Sequence, residues 1–336
     1  MILLSYGTRP EWIKIKPIIE KLKLPYMVLF TGQHEDLAQG EYDYKLEFPK
    51  CENRLDAAFA AVANTEFLFH DIKYVLVQGD TASAFAVALA AFHRGIKVIH
   101  LEAGLRSYNL QHPYPEEFYR KTISSFADVH LCPTAENYEN IMREKTSTNK
   151  VHLQVVGNTV CDNLTHLEPE YGDEVLVTLH RRENHFKMAE WFAALDAIAE
   201  QNPELTFTLP IHPNPNVIKH KDLLKHVNVV DPIPYEEFIE RLSKCRFVIS
   251  DSGGIQEESA FLRKKCIVCR EYTERVEGVG VFSRLCRHPY KLASIAQSFI
   301  KDYIPSMRHW PYGDGNSSEK VVKVLEDLWH GEIDLS

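Results

Sequence analysis

The chain has 336 residues, of which 45% are hydrophobic and 25% charged, which is typical of a globular protein long enough for two domains. Its formal net charge of -9 argues against nucleic acid and against an anionic membrane surface as the main partner. Arg9 and Glu11 interrupt the apolar start, so we expect no signal peptide, and no apolar run approaches the length of a membrane span.

The cysteines are dispersed along the chain. They are Cys51, Cys132, Cys161, Cys245, Cys266, Cys269 and Cys286. An odd, scattered set is typical of reduced thiols and predicts a cytoplasmic protein. Cys266 and Cys269 form a C-x-x-C, but they bracket a β-rich run in which residues three apart point to opposite faces. We therefore interpret this pair as part of a buried strand and not as a redox or metal site.

The first half of the chain alternates β-rich runs with helical patterns. Strands are predicted at 2–6, 26–30, 74–78, 97–101, 128–132 and 151–156. Helices are predicted at 11–22, 53–70, 82–93, 116–126 and 135–145. Strands that alternate with helices indicate a parallel sheet covered on both faces.

A second series of the same kind follows. Its strands are predicted at 174–179, 205–211, 227–230, 247–250 and 266–269, and its helices at 186–200, 235–243 and 254–262. We expect two Rossmann-like domains, residues 1–156 and 157–316, because Gly157 and Asn158 end a strand between the two series. The last amphipathic run, 317–329, is predicted to pack back on the first domain as part of a final segment, 317–336.

Polar clusters follow many of the predicted strands. They are GTRPEWIK, TGQH, QGDT, EAGLR, HRREN, IHP and SDSGGIQEE. Ligands of open parallel sheets bind beyond the carboxyl ends of the strands. One such cluster is often ordinary turn chemistry, but seven of them favour a ligand site.

The segment SDSGGIQEE is the clearest candidate for a phosphate site. Ser252, Gly253 and Gly254 precede a helix, whose backbone N–H groups and positive dipole end favour an anion. Glu258, one turn into the helix, could accept hydrogen bonds from ribose hydroxyls. A plain helix cap by Ser252 with a glycine turn is the alternative.

Cations near the strand ends support the anion interpretation, since arginine suits a diphosphate geometrically. They are Arg9, Lys14, Arg106, Arg120, Arg181, Arg182 and Arg275. No G-x-G-x-x-G follows a strand and no P-loop motif occurs, which disfavours a dinucleotide redox enzyme and a P-loop kinase. The sequence has no Asp-x-Asp pair and no zinc-ligand spacing, so we do not expect a metal to hold the diphosphate.

Asp80, Glu102, Glu116 and His180 are the candidates for proton transfer. Carboxylates at strand ends are desolvated enough for general acid–base work. His180 lies beside two arginines that would tune its proton affinity. A helix cap or a buried ion pair is the alternative for each, and an acid just after Pro115 also complements a helix dipole.

These motifs, in this order, resemble the non-hydrolysing UDP-N-acetylglucosamine 2-epimerases. The matching segments are GTRPEWIKIKP, TGQH, VQGDT, HLEAGLRS, PYPEEFYRK, VVGNTVCDNL, HRREN, IHPNPNV and DSGGIQEE with TERVEGV. The resemblance runs from residue 3 to about residue 279. It implies an α/β fold of GT-B architecture, in which two Rossmann-like domains have parallel sheets facing a central cleft.

The resemblance also implies a reaction: inversion at C2 of a UDP-linked N-acetylhexosamine, without metal or redox cofactor, through elimination of UDP to a 2-acetamidoglucal and re-addition. The catalytic set of the family matches Asp80, Glu102, Glu116 and His180. Its UDP-contacting positions match Arg9, Lys14, Arg120, Ser252, Gly253, Gly254, Glu258 and Arg275. His212 matches a phosphate-side histidine, and Phe238 matches the residue beside the uracil ring.

The chain departs from the family in one region. Many bacterial members bind a second UDP-sugar as an activator there, and Gln33 and His34 of TGQHED match that region. Asp36 stands where the family often has Gln, and the usual arginine has no clear counterpart. We therefore do not expect allosteric activation. Relatives also act on UDP-linked 6-deoxy-L-hexosamines, so both sugar classes stay open.

Three other functions remain as alternatives. A hydrolysing epimerase would release UDP and N-acetylmannosamine after the same elimination. A GT-B glycosyltransferase would need only one base and an acceptor groove, whereas several acids are present here. A non-catalytic nucleotide-sugar sensor would have no use for the acid–base set. The expected partners are a UDP-sugar and a second copy of the chain in a homodimer.

Overall fold

The computed structural model describes residues 1–33, 40–50, 53–63, 65–144, 150–306 and 310–335. Gln33 is among them, whereas His34 and Asp36 lie outside the described residues. The chain forms two compact units, one of Met1–Asn163 with Gly313–Ser336 and one of Leu164–Tyr312. The predicted boundary after residue 156 lies a few residues before the end of the first segment.

The first unit contains a parallel sheet. Its strands are β1 (Ile2–Tyr6), β2 (Tyr26–Phe30), β3 (Tyr44–Lys45), β4 (Tyr74–Gln78), β5 (Lys97–Leu101), β6 (Val129–Cys132) and β7 (His152–Val155). Their order is β3-β2-β1-β4-β5-β6-β7, so the chain starts near the centre and winds outward in both directions. Gln78 at the end of β4 pairs with Leu101 at the end of β5, which brings the segments after these two strands side by side.

Helices connect these strands. They are α1 (Arg9–Ile19), α2 (Arg54–Ala63), α3 (Ala82–His93), α4 (Glu116–Phe126) and α5 (Ala135–Glu144), with short 3-10 helices at Glu66–Phe69 and Thr159–Leu164. Thr8 and Glu11 form a capping box at the start of α1. Thr81 caps α3 through its hydroxyl, which accepts from Ala84 N at 3.1 Å.

The second unit contains another parallel sheet. Its strands are β8 (Glu174–Thr178), β9 (Thr206–Pro210), β10 (Asn228–Val230), β11 (Phe247–Ser250), β12 (Cys266–Val268) and β13 (Ser283–Leu285), in the order β10-β9-β8-β11-β12-β13. The α-helices are α6 (Met188–Gln201), α7 (Pro215–Ile218), α8 (Tyr235–Lys244), α9 (Gly253–Phe261) and α10 (Leu292–Lys301). Short 3-10 helices lie at Arg182–Lys187, Lys221–Leu223 and Pro289–Lys291.

The chain ends in α11 (Ser317–His330), which belongs to the first unit. Val321, Leu325 and Leu328 of this helix are buried in one apolar cluster with Ile2 and Leu4 of β1. Gly331 terminates the helix in the left-handed conformation, at φ +78°.

The predicted α/β fold with two parallel sheets is confirmed. The sequence analysis missed the edge strands β3 and β13 and the helices α7 and α10. The six cysteines that the structure describes are buried, and none of them forms a disulfide. No helix within the described ranges is long and apolar enough to cross a membrane.

Candidate active site

Glu102, directly after β5, is held in place by donors from three parts of the first unit. Lys14 Nζ lies 2.5 Å from Glu102 Oε2, and the side-chain amide of Gln78 donates to the same oxygen. Asn158 Nδ2 donates to Oε1 at 3.5 Å. Glu102 is 7% exposed and has a left-handed backbone, at φ +65°, which marks a residue whose placement the surroundings determine.

Lys14 is fixed in turn by the segment after β7. The Thr159 hydroxyl donates to the backbone oxygen of Lys14 at 2.6 Å. A small cavity beside the ion pair is lined by Lys14, Gln78, Leu101, Glu102, Gly157, Asn158 and Thr159. The Lys14–Glu102 ion pair therefore lines a small cavity at the carboxyl end of the sheet.

Asp80, two residues after β4, pairs with Arg120 of α4. The Oδ2 and Nη2 atoms are 2.5 Å apart. Arg120 matches a UDP-contacting position of the family it resembles, and in the structure it pairs with a candidate proton-transfer group. Asp80 and Glu102 thus stand at the ends of neighbouring strands, each with a cation as partner.

Glu117 is a further candidate site residue, which the sequence predictions do not include. Its carboxylate is fully buried and lies 3.4 Å from Arg120 Nη1. It also accepts hydrogen bonds from the backbone N–H groups of Ser107 at 3.1 Å and Tyr108 at 3.0 Å. Glu117 therefore ties the arginine that faces Asp80 to the loop that follows Glu102. The adjacent pair of acids in PYPEE was the available signal, but only the first was chosen.

Glu116 and Arg9 begin helices at this end of the sheet. Glu116 is the first residue of α4 and is partly buried. Burial, with a smaller contribution from the Glu116 charge, raises the pKa of Tyr119. Arg9 is the first residue of α1 and is also partly buried.

Glu11 joins two of the strand-end segments. Its Oε2 accepts from the backbone N–H groups of Gly7 and Thr8, both at 2.7 Å, and its Oε1 accepts from the Thr81 hydroxyl at 2.6 Å. Burial raises the pKa of this carboxyl group, although the four hydrogen bonds it accepts work in the opposite direction. Glu11 thereby locks the turn after β1 to the segment that carries Asp80.

His100 supports the same segment from within the sheet. Its Nε2–H donates to the backbone oxygen of Gly79 at 2.8 Å. Complete burial lowers the pKa of His100 to about 4, and the hydrogen bond to Gly79 and the charges of Asp80 and Glu102 offset this only in part. The neutral imidazole is thus a fixed donor beneath the turn between Gln78 and Asp80.

In the second unit, α9 presents its N-terminus directly after β11. Ser252 occupies the N-cap position, yet among the described residues its side chain makes no capping hydrogen bond to the helix. The structure therefore does not have the alternative arrangement, in which the Ser252 side chain caps α9. The first-turn N–H groups stay available for an anion.

The two glycines of α9 have different surroundings. A Cβ atom on Gly253 would lie 2.6 Å from Arg275 Nη1, because the guanidinium packs on this residue. A Cβ atom on Gly254 would meet nothing within 4 Å. The Arg275 guanidinium thus lies at the positive dipole end of α9. The space above Gly254 is open.

Buried carboxylates anchor Arg275. Its Nε donates to Glu257 Oε1 at 3.0 Å, and its Nη1 pairs with Glu274. The Tyr312 hydroxyl also donates to the Arg275 backbone oxygen at 3.1 Å. The guanidinium is therefore fixed before any ligand arrives, which is the arrangement that saves ordering entropy on binding.

His180 and His212 form a stacked pair at the ends of β8 and β9. Their ring centroids are 5.1 Å apart, with 16° between the planes. Burial lowers the pKa of both imidazoles. Asn214 N donates to His212 Nδ1 at 3.2 Å, so the other ring nitrogen of His212 carries the proton in the neutral form.

Glu258 and Phe238 lie on adjacent helices, α9 and α8. The Tyr235 hydroxyl donates to Glu258 Oε1 at 2.8 Å. Phe238 and Tyr235 are both partly buried against the same apolar cluster. A carboxylate that accepts hydrogen bonds, beside aromatic rings, suits the ribose hydroxyls and the nucleobase of a nucleotide.

The structure therefore brings together five pairs that include candidate residues: Lys14 with Glu102, Asp80 with Arg120, His180 with His212, Gly253 with Arg275, and Glu258 with Tyr235. Within the described parts of the chain no three acidic, histidine or cysteine side chains are grouped as metal ligands. In the region matched to the family's activator site, Gln33 Oε1 accepts from the Ser83 hydroxyl at 2.8 Å, and His34 and Asp36 lie outside the described residues.

Comparison with known proteins agrees with this arrangement. A family model described as UDP-N-acetylglucosamine 2-epimerase matches residues 20–326. A Campylobacter jejuni protein named UDP-N-acetylglucosamine 2-epimerase is 35% identical, with 96% of this chain and 97% of that protein covered.

Solved structures give the same result. The Neisseria meningitidis UDP-GlcNAc 2-epimerase bound to UDP-GlcNAc is 32% identical with a TM-score of 0.86, covering 97% of this chain and 99% of that one. A UDP-N-acetylglucosamine 2-epimerase structure from Listeria monocytogenes, described as putative, has a TM-score of 0.88 at 28% identity and covers 100% of this chain and 97% of that one. The chain belongs to the UDP-N-acetylglucosamine 2-epimerase family.

Proposed function

We propose that this chain inverts C2 of a UDP-N-acetylhexosamine by eliminating UDP and adding it back, without net hydrolysis. The observation that carries the proposal is the pair of carboxylates at the ends of β4 and β5, each with a buried cation as partner. Relatives named as UDP-N-acetylglucosamine 2-epimerases, including one solved with UDP-GlcNAc, support the substrate class.

The chemistry explains why several acids are needed. The C2 proton of the sugar is very weakly acidic, since no carbonyl is attached to that carbon. Its removal must therefore be coupled to cleavage of the C1–O bond. The C2–H electron pair becomes the C1=C2 double bond of a 2-acetamidoglucal, and the C1–O pair leaves on UDP. Return of a proton to the opposite face of C2, and of UDP to C1, completes the inversion.

We assign C2 proton transfer to Asp80 and Glu102. Their placement on neighbouring strands supports two proton-transfer groups near one carbon. Glu116 and His180 would assist proton traffic or hold the sugar and phosphate. Lys14 and Arg120, now paired with the two carboxylates, would control the charge of these groups and contact the substrate.

UDP contact is assigned to the residues that match the family's UDP-binding positions, with the diphosphate at the α9 N-terminus. The proposed binding residues are Arg9, Lys14, Arg120, His212, Phe238, Ser252, Gly253, Gly254, Glu258 and Arg275. The open space above Gly254 and the anchored guanidinium of Arg275 support a diphosphate here. Fixed N–H groups and a fixed cation also stabilise the charge that develops on departing UDP.

The proposed substrate is UDP-N-acetylglucosamine, which gives UDP-N-acetylmannosamine as product. A UDP-linked 6-deoxy-L-hexosamine is the other proposed substrate. We further propose a cytoplasmic homodimer that needs no metal or other cofactor. Light scattering of the purified protein tests the dimer. Activity after exhaustive chelation tests the independence from metal.

Proton NMR in D2O tests the reaction itself. The enzyme is incubated with UDP-N-acetylglucosamine, and the C2 proton and the anomeric signals are followed. Epimerisation with deuterium entering C2 and UDP staying attached is the expected result. Release of free sugar would identify a hydrolysing epimerase instead. If UDP-N-acetylglucosamine does not react, the same experiment is repeated with UDP-linked 6-deoxy-L-hexosamines. No reaction with those substrates would overturn the proposal.

A further inference from the structure

Asp251 is a buried carboxylate that stands between two candidate site segments of the second unit. It follows β11 directly and precedes Ser252 at the cap of α9. Its side chain is fully buried. It accepts hydrogen bonds from the backbone N–H groups of His180 at 3.0 Å and Arg181 at 2.8 Å, both measured to Oδ2. The carboxylate therefore joins the loop after β8 to the phosphate-binding candidate.

A second side chain fixes the orientation of this carboxylate. Asn184 Nδ2 donates to Asp251 Oδ2 at 3.0 Å and to the Cys269 backbone oxygen at 2.8 Å. The indole N–H of Trp191 donates to Asn184 Oδ1 at 3.1 Å, so the amide cannot turn over without losing these bonds. Asp251 thus sits in a network whose donors are all determined.

The His180 ring faces Asp251 with one nitrogen. His180 Nδ1 lies 3.8 Å from Asp251 Oδ1. The other groups acting on the ring are His212, which stacks on it, and Arg181 and His185, whose charges disfavour its protonation. Burial lowers the pKa of His180 most, and the Asp251 charge is the group that raises it.

We propose that Asp251 is a positioning residue that holds His180 beside the α9 N-terminus and supplies the counter-charge for its imidazolium form. An imidazolium at this place adds positive charge where a departing diphosphate needs it. A carboxylate that orients a histidine and stabilises its charged state is an established device of acid–base sites. The role in catalysis rests on the proposed function, whereas the effect on His180 does not.

NMR titration of the histidines in the ligand-free protein tests the proposal. In Asp251→Asn, loss of the counter-charge should lower the pKa of His180 relative to the unaltered protein. The matched control is Asp196→Asn. Asp196 accepts from the backbone N–H groups of Lys225 at 2.6 Å and His226 at 2.7 Å and lies 3.0 Å from His226 Nδ1. The control should leave the pKa of His180 unchanged.

An unchanged or raised His180 pKa in Asp251→Asn would overturn the proposal. Should that variant not fold, the unaltered protein still decides. The ¹³C signal of the Asp251 carboxyl group should shift at the pH where His180 titrates, and a flat signal across that pH would refute the counter-charge role.

Activity gives the second readout. In Asp251→Asn we expect kcat to fall at least about tenfold, with a loss that shrinks as pH is lowered and His180 regains its proton. A loss that does not depend on pH would indicate a merely structural role and would contradict the catalytic part. If Asp251→Asn lowers the pKa of His180 but the unaltered protein epimerises no UDP-sugar, the proposed function is wrong and the positioning role of Asp251 still holds.

Discussion

The two units share one topology but carry opposite chemistry at their strand ends. In the first unit, carboxylates stand at the ends of β4 and β5, and cations from the helices pair with them. In the second unit, the N-terminus of α9 follows β11, the Arg275 guanidinium packs on it, and buried carboxylates anchor that guanidinium. The first unit thus presents carboxylates that are paired with cations, and the second presents a cation that is paired with buried carboxylates. The difference lies in the loops, since the sheets are alike.

We infer a division of labour in which C2 proton transfer rests on Asp80 and Glu102 in the first unit and the main diphosphate site is the α9 N-terminus in the second. Variants of either unit separate the two roles or test the residues that support them.

Glu102→Gln should give the largest loss, because the amide keeps the shape of the side chain but cannot accept the C2 proton. We expect kcat to fall about 10²–10⁴-fold, measured by coupled assay or NMR. The matched control is Asp128→Asn, since Asp128 pairs with Lys97 at 2.9 Å at the opposite end of β5. A loss within about tenfold for Glu102→Gln would exclude proton transfer by this residue.

His100 should make the first unit sensitive to acid. The folded state keeps this imidazole neutral down to about pH 4, whereas the unfolded chain takes up the proton near its usual value of 6.5. The unfolded state therefore binds more protons between these values, and the free energy of unfolding should fall by up to about 3 kcal/mol as pH drops through that window.

Denaturant unfolding at several pH values measures this effect. His100→Gln, whose amide can still donate to the Gly79 carbonyl, should flatten the dependence in that window. An equally steep dependence in the variant would show that other groups cause it.

Glu117→Gln should act through Asp80. The amide no longer balances the Arg120 charge, so the guanidinium loses its fixed position against Asp80. In a double-mutant cycle the loss from Glu117→Gln should largely disappear in an Asp80→Asn background, with a coupling of about 1–2 kcal/mol in transition-state energy.

Glu144→Gln provides the comparison for that cycle. Glu144 pairs with the buried Arg106 at 2.8 Å and with Lys121, which is on the same helix as Arg120, at 3.3 Å. Any loss it causes should add to that of Asp80→Asn. Additive losses for Glu117→Gln as well would reject the link through Arg120.

The two glycines of α9 should respond differently to alanine. Gly254→Ala adds a methyl group in open space, so thermal unfolding should not change while UDP binds roughly tenfold more weakly. Gly253→Ala collides with the Arg275 guanidinium and should destabilise the fold by about 1–3 kcal/mol. Calorimetry of UDP binding and thermal unfolding measure both. Unchanged UDP affinity in Gly254→Ala would show that the phosphates do not bind at the N-terminus of this helix.

Most of the sheet core could be predicted from the sequence, because buried parallel strands are apolar runs bounded by polar turns. The predictions for β1, β2, β4 and β5 match the structure at both ends. The missed edge strands β3 and β13 have two and three residues, too few for a periodic pattern. They take part in the sheets through backbone pairing that composition does not reveal.

The candidate site was predictable to the extent that strand ends mark it. That criterion predicts Asp80 and Glu102, and both lie at the ends of adjacent strands. The pairing of Arg120 with Asp80, and the support from Glu117, depend on which side of α4 faces the sheet. That orientation is set by tertiary packing, and two adjacent acids in a first helical turn do not reveal which one is buried.

The affinity of UDP for an Asp80→Asn/Glu102→Gln double variant tests the division of labour most directly. If the first unit supplies proton transfer and the second holds the diphosphate, the double variant should bind UDP within about threefold of the unaltered protein while it exchanges no C2 proton. Loss of UDP binding in the double variant, or proton exchange that continues, would contradict the account.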